Sequence, residues 1–507
     1  MSGNIIFSDS LSADEVAQII VSLEKDSPRI QKMREADKYY DIKNPVIMRK
    51  KKVYYDKDRK EYDNPSATNV RIPSTFLRTL VEEKRDYALG KTFILSMKKD
   101  DKEVEKNDEY YKAWIDFLEK TLYEFVTLLA TQSINHGIGW AYLWIDEDGN
   151  LKIDDMPGDS VYPIWKDRNH TEIDRLVYYY KKIKYESQNP TETEYAEYWT
   201  DEERHLFNIS EAYAEVQDED NPDSSHMLMQ DADGKIEGVS WERVPFIAFK
   251  ATDDEKPQLD FIKEAIDSYD MVFSNSVDGV EDALDPLLVF KGISPDIGDL
   301  IEARQIAKMT KTISVDPDGD ASFIQPTLDV NSDVTIKEQL RKSIIYSGYG
   351  VDFDDVRFGN PNEMTIKCLF QRIDTYTDGF ERNFQNFIND LKYFFDRWYG
   401  WQNSISPEIL EEYSIFVKFD RSMMMNQTSM IDNVVKLAGQ NAVSRRTLLE
   451  YNPIVVDVDM ELERIKAEEE EKAEEQKKYS DSMFNFNQPP RDDEDDEDNP
   501  DEEEEEE

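Results

Sequence analysis

Apolar residues recur at three- and four-residue steps through Leu259, Ile262, Ile266, Tyr269, Phe273, Val277, Val280 and Leu284. That spacing lines one face of a helix. It predicts an outbound rod over Lys256–Leu284, with Asp253 and Asp254 placed to meet free N–H groups at its start and Pro286 to end it. At about 1.5 Å per residue the rod is roughly 40 Å long. A return helix is predicted over Val334–Tyr346. Between the two lies a small head, about Asp285–Asn331, with a strand at Leu287–Lys291 and a helix at Ile297–Lys308. Short strands Thr312–Val315 and Ser322–Ile324 flank a tight turn, Asp316–Asp320. A longer helix, Glu363–Trp398, carries Ile366, Leu369, Phe370, Ile373, Tyr376, Phe380, Phe384, Phe387, Leu391, Phe394 and Phe395 on one face, with Gly379 as a candidate kink. It is roughly 50 Å long. A lone stalk cannot bury its stripe within itself, and the long helix exceeds what a compact monomer hides. Neighbouring chains are therefore expected to cover both.

Upstream, Ser12-Ala13-Asp14-Glu15 fits a capping box and opens a helix to about Lys25, followed by a second over Ile30–Tyr40. Residues 41–68 are polar and basic (Arg49, Lys50, Lys51, Lys52), with Tyr54, Tyr55 and Tyr62 interleaved. They read as a solvated loop or, less economically, a nucleic-acid patch. Extended Asn69–Pro73 leads to a helix with Ser74 as N-cap and Gly90 as a left-handed C-cap. Another helix spans Asp108–Gly137. From Gly139 the period drops to two, as Trp140, Tyr142 and Trp144 alternate with Ala141, Leu143 and Ile145. Asp148-Gly149 then turns the chain into a meander of strands near 151–154, 160–164, 174–185, 193–200, 204–209 and 213–217, and Val244–Lys250 adds a last strand. Past the return helix, Ser347–Pro361 is a loop by composition. A strand near Ser414–Phe419 and helices over Asn426–Ala438, Ser444–Tyr451 and Asp459–Lys478 complete an α+β chain.

Charge changes this picture. The 507 residues carry a net charge of −49. Arg491–Glu507 holds fourteen acidic residues against one arginine, so −13 sits in the last stretch and −36 on the body. Residues 479–507 have no core-forming pattern. A polyanion does not bind nucleic acid by counterion release, which argues against sequence-specific DNA binding. The single cysteine, Cys368, permits no disulfide within the chain and fits a reducing compartment. No apolar run is long enough for a membrane span, and the N-terminus lacks the pattern of a secretory signal. The expected setting is the cytosol.

Candidate chemistry is sparse. The histidines His136, His170, His205 and His226 are scattered, and none stands at metal-ligand spacing with Cys368. Asp316, Asp318 and Asp320 resemble the start of a calcium loop, but Ala321 replaces its glycine and Thr327 its bidentate glutamate. A hairpin turn is the simpler reading. No phosphate-cradling glycine loop is present. Paired carboxylates arise by chance among 110 acidic residues. No catalytic, cofactor or metal site is expected, and the residues point to a structural assembly.

Several blocks, in order, resemble the portal proteins of long-tailed double-stranded DNA phages. They are Asn69, Pro73, Phe76, Val81, Lys84, Tyr87, Gly90 and Lys91; Gly139–Pro163; Val244–Phe249; Ile266–Asp270 with Ser274–Ser276; Phe358-Gly359-Asn360 through Lys367; and Ser444–Thr447 with Asp457 and Glu461. The resemblance covers about Asn69–Glu470. Asn362–Thr365 and Arg421-Ser422 depart from the family's pattern.

The resemblance implies a portal fold and a dodecameric ring at one vertex of the phage head, assembled in the host cytoplasm. Residues 1–255 would form the wing, 256–284 and 334–346 the stem, and 285–333 the clip. A tunnel loop would occupy 347–362, a long kinked helix 363–399, and the wing return and crown 400–478. Double-stranded DNA would pass through the middle without sequence preference. Asp352, Phe353, Asp354, Asp355, Arg357, Phe358 and Asn360 would belong to the channel loop. Ile266, Tyr269, Asp270, Phe273 and Val277 would build the stem. Asp296, Asp299, Glu302, Arg304 and Lys308 of the clip would meet the large terminase subunit and later the head-completion adaptor. The wing would meet major capsid and scaffolding proteins. Two other readings stay open: a tail or adaptor scaffold without DNA traffic, which explains acidity and long helices but not the stalk–head–stalk order, and a carboxylate-metal enzyme.

Overall fold

The computed structural model describes residues 7–473 except 9–10, 56–57, 65–66, 92, 101, 186–189, 212, 217–223, 231–235, 285–286, 292–301, 303–304, 307–308, 311–319, 325–329, 353–362, 420–433, 441–442, 451, 453–454, 456–457, 459–460 and 463. The chain divides into two compact units, Met1–Ser422 and Met423–Glu507.

In the first unit, α1 (Ala13–Glu24) opens on the predicted capping box, the Glu15 carboxylate accepting from the Ser12 N–H at 3.0 Å. It is followed by α2 (Pro28–Tyr40) and one turn, α3 (Pro45–Met48). The stretch expected as a loop instead forms a hairpin of β1 (Val53–Tyr55) and β2 (Glu61–Asp63), a two-stranded sheet among the described residues. Next comes α4 (Phe76–Leu89). Gly90 ends it in right-handed helical geometry (φ −66°), not the expected left-handed one. Strands β3 (Ile94–Lys99) and β4 (Lys102–Glu103) precede α5 (Glu109–Phe117), a π turn at Leu118–Leu122 and α6 (Tyr123–His136). Gly137, at φ +87°, reverses the chain into the sheet, and a side chain there would strike the backbone of Glu255.

The expected single meander is split between two sheets. One has the order β14-β5-β6: β5 (Ile138–Ile145), β6 (Leu151–Met156) and β14 (Phe246–Lys250). The other is antiparallel, running from β7 (Val161–Trp165) through β8 (Ile173–Tyr185), β9 (Pro190–Trp199) and β10 (Arg204–Asn208) to β11 (Ala214–Glu215). β12 (Met227–Gln230) and β13 (Ile236–Val239) form a separate pair.

A 3₁₀ turn at Gln258–Phe261 comes before the outbound helix α7 (Lys263–Leu284), which starts seven residues later than the spacing predicts. Asp253 and Asp254 do not cap it. They bind Asn383 and Lys256 instead. β15 (Leu287–Lys291) pairs with β16 (Asp320–Ile324), and α8 (Val330–Ser347) returns. The long helix α9 (Glu363–Asn403) is continuous through Gly379. A short α10 (Pro407–Leu410) leads to β17 (Tyr413–Lys418), which joins β3 with Ile415 opposite Met97. In the second unit α11 (Arg445–Glu450) and helical residues 464–473 are described, and Arg445 pairs with Glu469 at 2.5 Å.

The expectation that other chains bury the long helix is wrong for most of its length. Ile373, Phe380, Phe384, Phe387, Ile388, Leu391, Phe394 and Phe395 are buried in the chain's own core, against α4–α6, β14 and β17. The aromatic pattern predicts which face is apolar but not what covers it. Trp114 lies 4.1 Å from Phe395 between ring centroids, and Phe249 meets Phe380, Phe384 and Phe387. A second core joins α1 and α2 to the five-stranded sheet through Ile20, Ile30, Tyr162, Leu176 and Trp199.

Candidate functional site: the stem helices and the segment that braces them

Of the predicted stem residues, Ile266 is buried in the main core. Tyr269 is half-buried, edge-on to Phe76 at 4.9 Å, and parallel to Phe273 at 6.0 Å. Phe273 carries Lys337 of α8 5.5 Å from its ring, and Val277 is half-buried. The stripe therefore splits. Its start belongs to the chain's own core, while Val280 beyond it is 53% exposed, as are Val334 (52%) and Ile336 (47%) on α8. The two helices are tied together by the Ser276 hydroxyl donating to Asp333 at 2.6 Å.

Asp270 does something the apolar pattern does not announce. The extended segment leading into α4 runs antiparallel to α7 and gives it every second N–H. Val70 donates to Asp278 (2.7 Å), Ile72 to Ser274 Oγ (3.1 Å) and Ser74 to Asp270 (3.0 Å). Two residues of extended chain advance about 6.6–6.8 Å. Four residues of helix advance about 6.0 Å. The two repeats nearly match, so a helix offering acceptors at steps of four can hydrogen-bond an extended strand as a sheet edge would. Pro73, which has no N–H, falls at a position that needs none.

The basic run completes this brace. Lys50 Nζ lies 2.6 Å from Asp278, with both side chains almost wholly buried, and Lys52 approaches the same carboxylate at 3.1 Å. Asn44 donates to Asp270 (2.8 Å) and Asp267 (3.0 Å), and Tyr39 donates to Asp267 (2.6 Å). Burial pushes the Asp278 carboxyl up, but bonds from Lys50, Val70 and Lys52 outweigh it and hold the group below the usual carboxylate range. At Asp270 burial wins over Ser74 and Asn44, and the carboxyl is raised. The sequence alone places Lys50 and Lys52 in a solvated loop or a nucleic-acid patch, not in a buried ion pair. Their shared partner, Asp278, is 228 residues from Lys50.

The return side is anchored on the same helix, α4. Gly348 and Gly350 press onto Leu80. A Cβ on Gly348 would lie 2.6 Å from Leu80 Cδ1 and 2.9 Å from the Ile344 carbonyl oxygen. The Val351 N–H donates to Glu83 (3.1 Å), and Gln258 donates to the Gly348 carbonyl (3.2 Å) while accepting from Lys84. Lys84 is fully buried with its ammonium 4.0 Å from the Tyr376 ring centroid, and burial drives its pKa well below the ordinary lysine value. Asp352, the first predicted loop residue, is held by a two-point pair with Arg341 at 3.0 and 3.3 Å. Phe353, Asp354, Asp355, Arg357, Phe358 and Asn360 lie outside the described residues, as do Asp296, Asp299, Arg304 and Lys308. Glu302 is helical and exposed.

The histidines are occupied separately: His136 by Asp37, His170 by Glu255, His205 by Glu203 and Glu215, and His226 by the Thr200 carbonyl and the Trp241 N–H. Asp316 and Asp318 lie outside the described residues, and Asp320 begins β16. Among the described residues no three His, Cys, Asp or Glu side chains gather to hold a metal ion. A cavity of about 760 Å³ between β14, α9 and the turn after β7 is lined by Arg243, Lys250, Asn383 and Asp390. Burial raises the Asp390 carboxyl to about 6, opposed by Arg243 and Lys250. No described helix is long and apolar enough to cross a membrane.

The fold is thus an antiparallel pair of helices, α7 and α8, braced on a mixed helical and antiparallel body. Comparison with known families makes this specific. Residues 21–475 match the family described as phage portal protein, SPP1 Gp6-like, and the chain belongs to that family. The portal protein of Clostridium phage phiCD119 is 24% identical over 497 residues, covering 94% of this chain and all of its own length. The portal protein of Bacillus phage SPP1 is 23% identical over 485 residues, covering 90% of each. A chain from a solved structure titled "Neck of empty GTA particle computed with C6 symmetry" aligns with 74% of this chain and 88% of its own, at 11% identity and a TM-score of 0.40, too distant a likeness to carry an argument. The protein is thus a phage portal and a structural component of the virion.

Proposed function

We propose that twelve copies close into a ring at a single vertex of the phage head and that the ring conducts double-stranded DNA during packaging and ejection. The supporting observation is the outer half of the stem. Val280, Val334 and Ile336 are left exposed beside the exposed carboxylates of Glu281, Asp282 and Glu338. Apolar positions at helical spacing with a polar border suit contact with a neighbouring copy. The rest of the −49 charge suits a lumen that repels phosphate, so that DNA slides without resting.

In this reading residues 1–255 are the wing, 285–333 the clip and 347–362 the tunnel loop, with Asp352 at the loop's root. The clip, Glu302 included, docks the large terminase subunit and then the head-completion adaptor, while the wing meets capsid and scaffolding proteins. Assembly takes place in the host cytoplasm, and the ring itself catalyses nothing. Electron micrographs of the purified protein are expected to show twelve-fold rings with an axial hole. Compact monomers at high concentration would overturn this, and metal-dependent nuclease or ATPase activity would restore the enzyme reading.

A further inference from the structure

The β1–β2 hairpin is an oddity within this acidic chain. Residues 49–63 hold seven Lys and Arg against four Asp and Glu. Its pairing runs Val53–Asp63, Tyr54–Tyr62 and Tyr55–Glu61, with no third strand among the described residues. Such a ribbon is marginal by itself in water. Yet its root is fixed, because Lys50 and Lys52 bind Asp278 of the stem and the Asn64 N–H donates to the Lys52 carbonyl at 2.8 Å. Beyond the root, Tyr55 is 62% exposed and Tyr62 37% exposed, Arg59 and Lys60 are exposed, and so are Arg49 and Lys51 at the root itself. A rigidly seated arm therefore presents aromatic rings and cations to solvent.

We propose that this arm docks on a second copy of the same chain, on the stem surface around Val280, Glu281 and Asp282. The inference rests on the ring reading above and adds a specific contact to it. The two surfaces are complementary in kind: tyrosines with cations on one, aliphatic side chains with carboxylates on the other. Both stay exposed within one chain, so neither satisfies the other there. A head-to-tail contact repeated around a ring covers both at every interface. Nucleic acid is the less suitable partner. Acidic residues interleave the basic ones, two of the lysines already serve Asp278, and the body is strongly negative.

The test uses the full chain in a Cys368→Ser background with Arg59→Cys and Glu281→Cys. Under mild oxidation, covalent dimers and higher ladders are expected, with linked 59–281 peptides recovered from the dimer band. Linkage only within single chains, or none while rings are visible, overturns the proposal. In a separate variant, Arg49→Glu with Lys51→Glu and Arg59→Glu should lower the fraction of protein in rings about tenfold at 0.3 M NaCl, and Glu281→Lys with Asp282→Lys should restore it. Rings and salt tolerance unchanged by the reversal, with lower retention of duplex DNA, would assign the arm to nucleic acid and overturn the proposal. Trapping reads the arm contact and microscopy reads the ring, so failure of one is distinguishable from failure of the other.

Discussion

Removing the Asp278 carboxylate is the sharpest perturbation of α7 and the segment that braces it. Three donors converge on it: Lys50 at 2.6 Å, Val70 N–H at 2.7 Å and Lys52 at 3.1 Å. In Asp278→Ala the Lys50 ammonium stays buried with the Val70 carbonyl, 3.0 Å away, as its remaining partner. Breaking a buried ion pair from one side costs about 3–5 kcal/mol. Ser274→Ala removes one neutral acceptor and should cost about 1 kcal/mol. A chain of this size does not unfold in two states, so the readout is local: deuterium exchange of peptides covering 69–75. A loss of 3 kcal/mol corresponds to roughly a hundredfold faster exchange there. Peptides of the five-stranded sheet should be unchanged. The double change Lys50→Met with Asp278→Leu should be milder than Asp278→Ala alone, because no charge is then left buried without a counter-charge. Because the Asp278 carboxyl is held below its ordinary value, its contribution is complete above the unfolded aspartate range and is lost as pH falls through the folded value, so acid should loosen the same peptides. Exchange within threefold of wild type for Asp278→Ala, or a double variant as damaged as the two single ones combined, would refute the reasoning.

Three further outcomes follow from the same geometry. Asp390 has a folded pKa raised to about 6, so its burial costs stability progressively as pH rises from the unfolded aspartate range to that value, and the cost is complete above it; Asp390→Asn should stabilise the protein at pH 8 by an amount on the order of 3 kcal/mol, read as a higher melting temperature, and flatten the dependence between pH 4 and 6. His226 is held neutral by burial, with its pKa pushed down to about 4, so its contribution is present above pH 6.5 and lost as pH falls from there toward 4; Trp241 fluorescence should report that transition, and His226→Gln should remove it. Gly348→Ala places a methyl against Leu80 and the Ile344 carbonyl and should cost about 1–3 kcal/mol, read as faster exchange of the end of α8, whereas Gly439→Ala, with nothing within 4 Å, should be silent.

Periodicity in the sequence carried the helices and most strands, because 3.6- and 2-residue repeats report which face is apolar. It could not report which surface covers that face. The α9 stripe was assigned to neighbouring chains on length alone, although Phe380, Phe384 and Phe387 close on Phe249 of the same chain. The brace was equally hidden, for Lys50 looks like any surface lysine until Asp278 is brought to it. A local signal did exist. Asp270, Ser274 and Asp278 stand four apart on a helix otherwise read for its apolar stripe, and Asn69–Pro73 is extended with its proline at a position that requires no donor. Both stretches belong to the blocks that carry the family resemblance, and they hydrogen-bond to each other.

Helix α4 meets both arms of the stem. The segment at its start is bonded to α7 through Ser74 and Asp270, and its middle holds the end of α8 through Leu80, Glu83 and Lys84. These groups tolerate displacement poorly. Lys84 is buried, the glycines leave no spare volume, and a shift that broke the Glu83–Val351 bond would leave a donor at the edge of the loop unpaired. α7 therefore reaches residues 348–352 by two routes, across Ser276 and Asp333 into α8, which runs on into them, and through Ser74 and α4. Substitutions at Leu80 or Glu83 cut the second route at its contacts with Gly348, Gly350 and Val351 and leave the first intact.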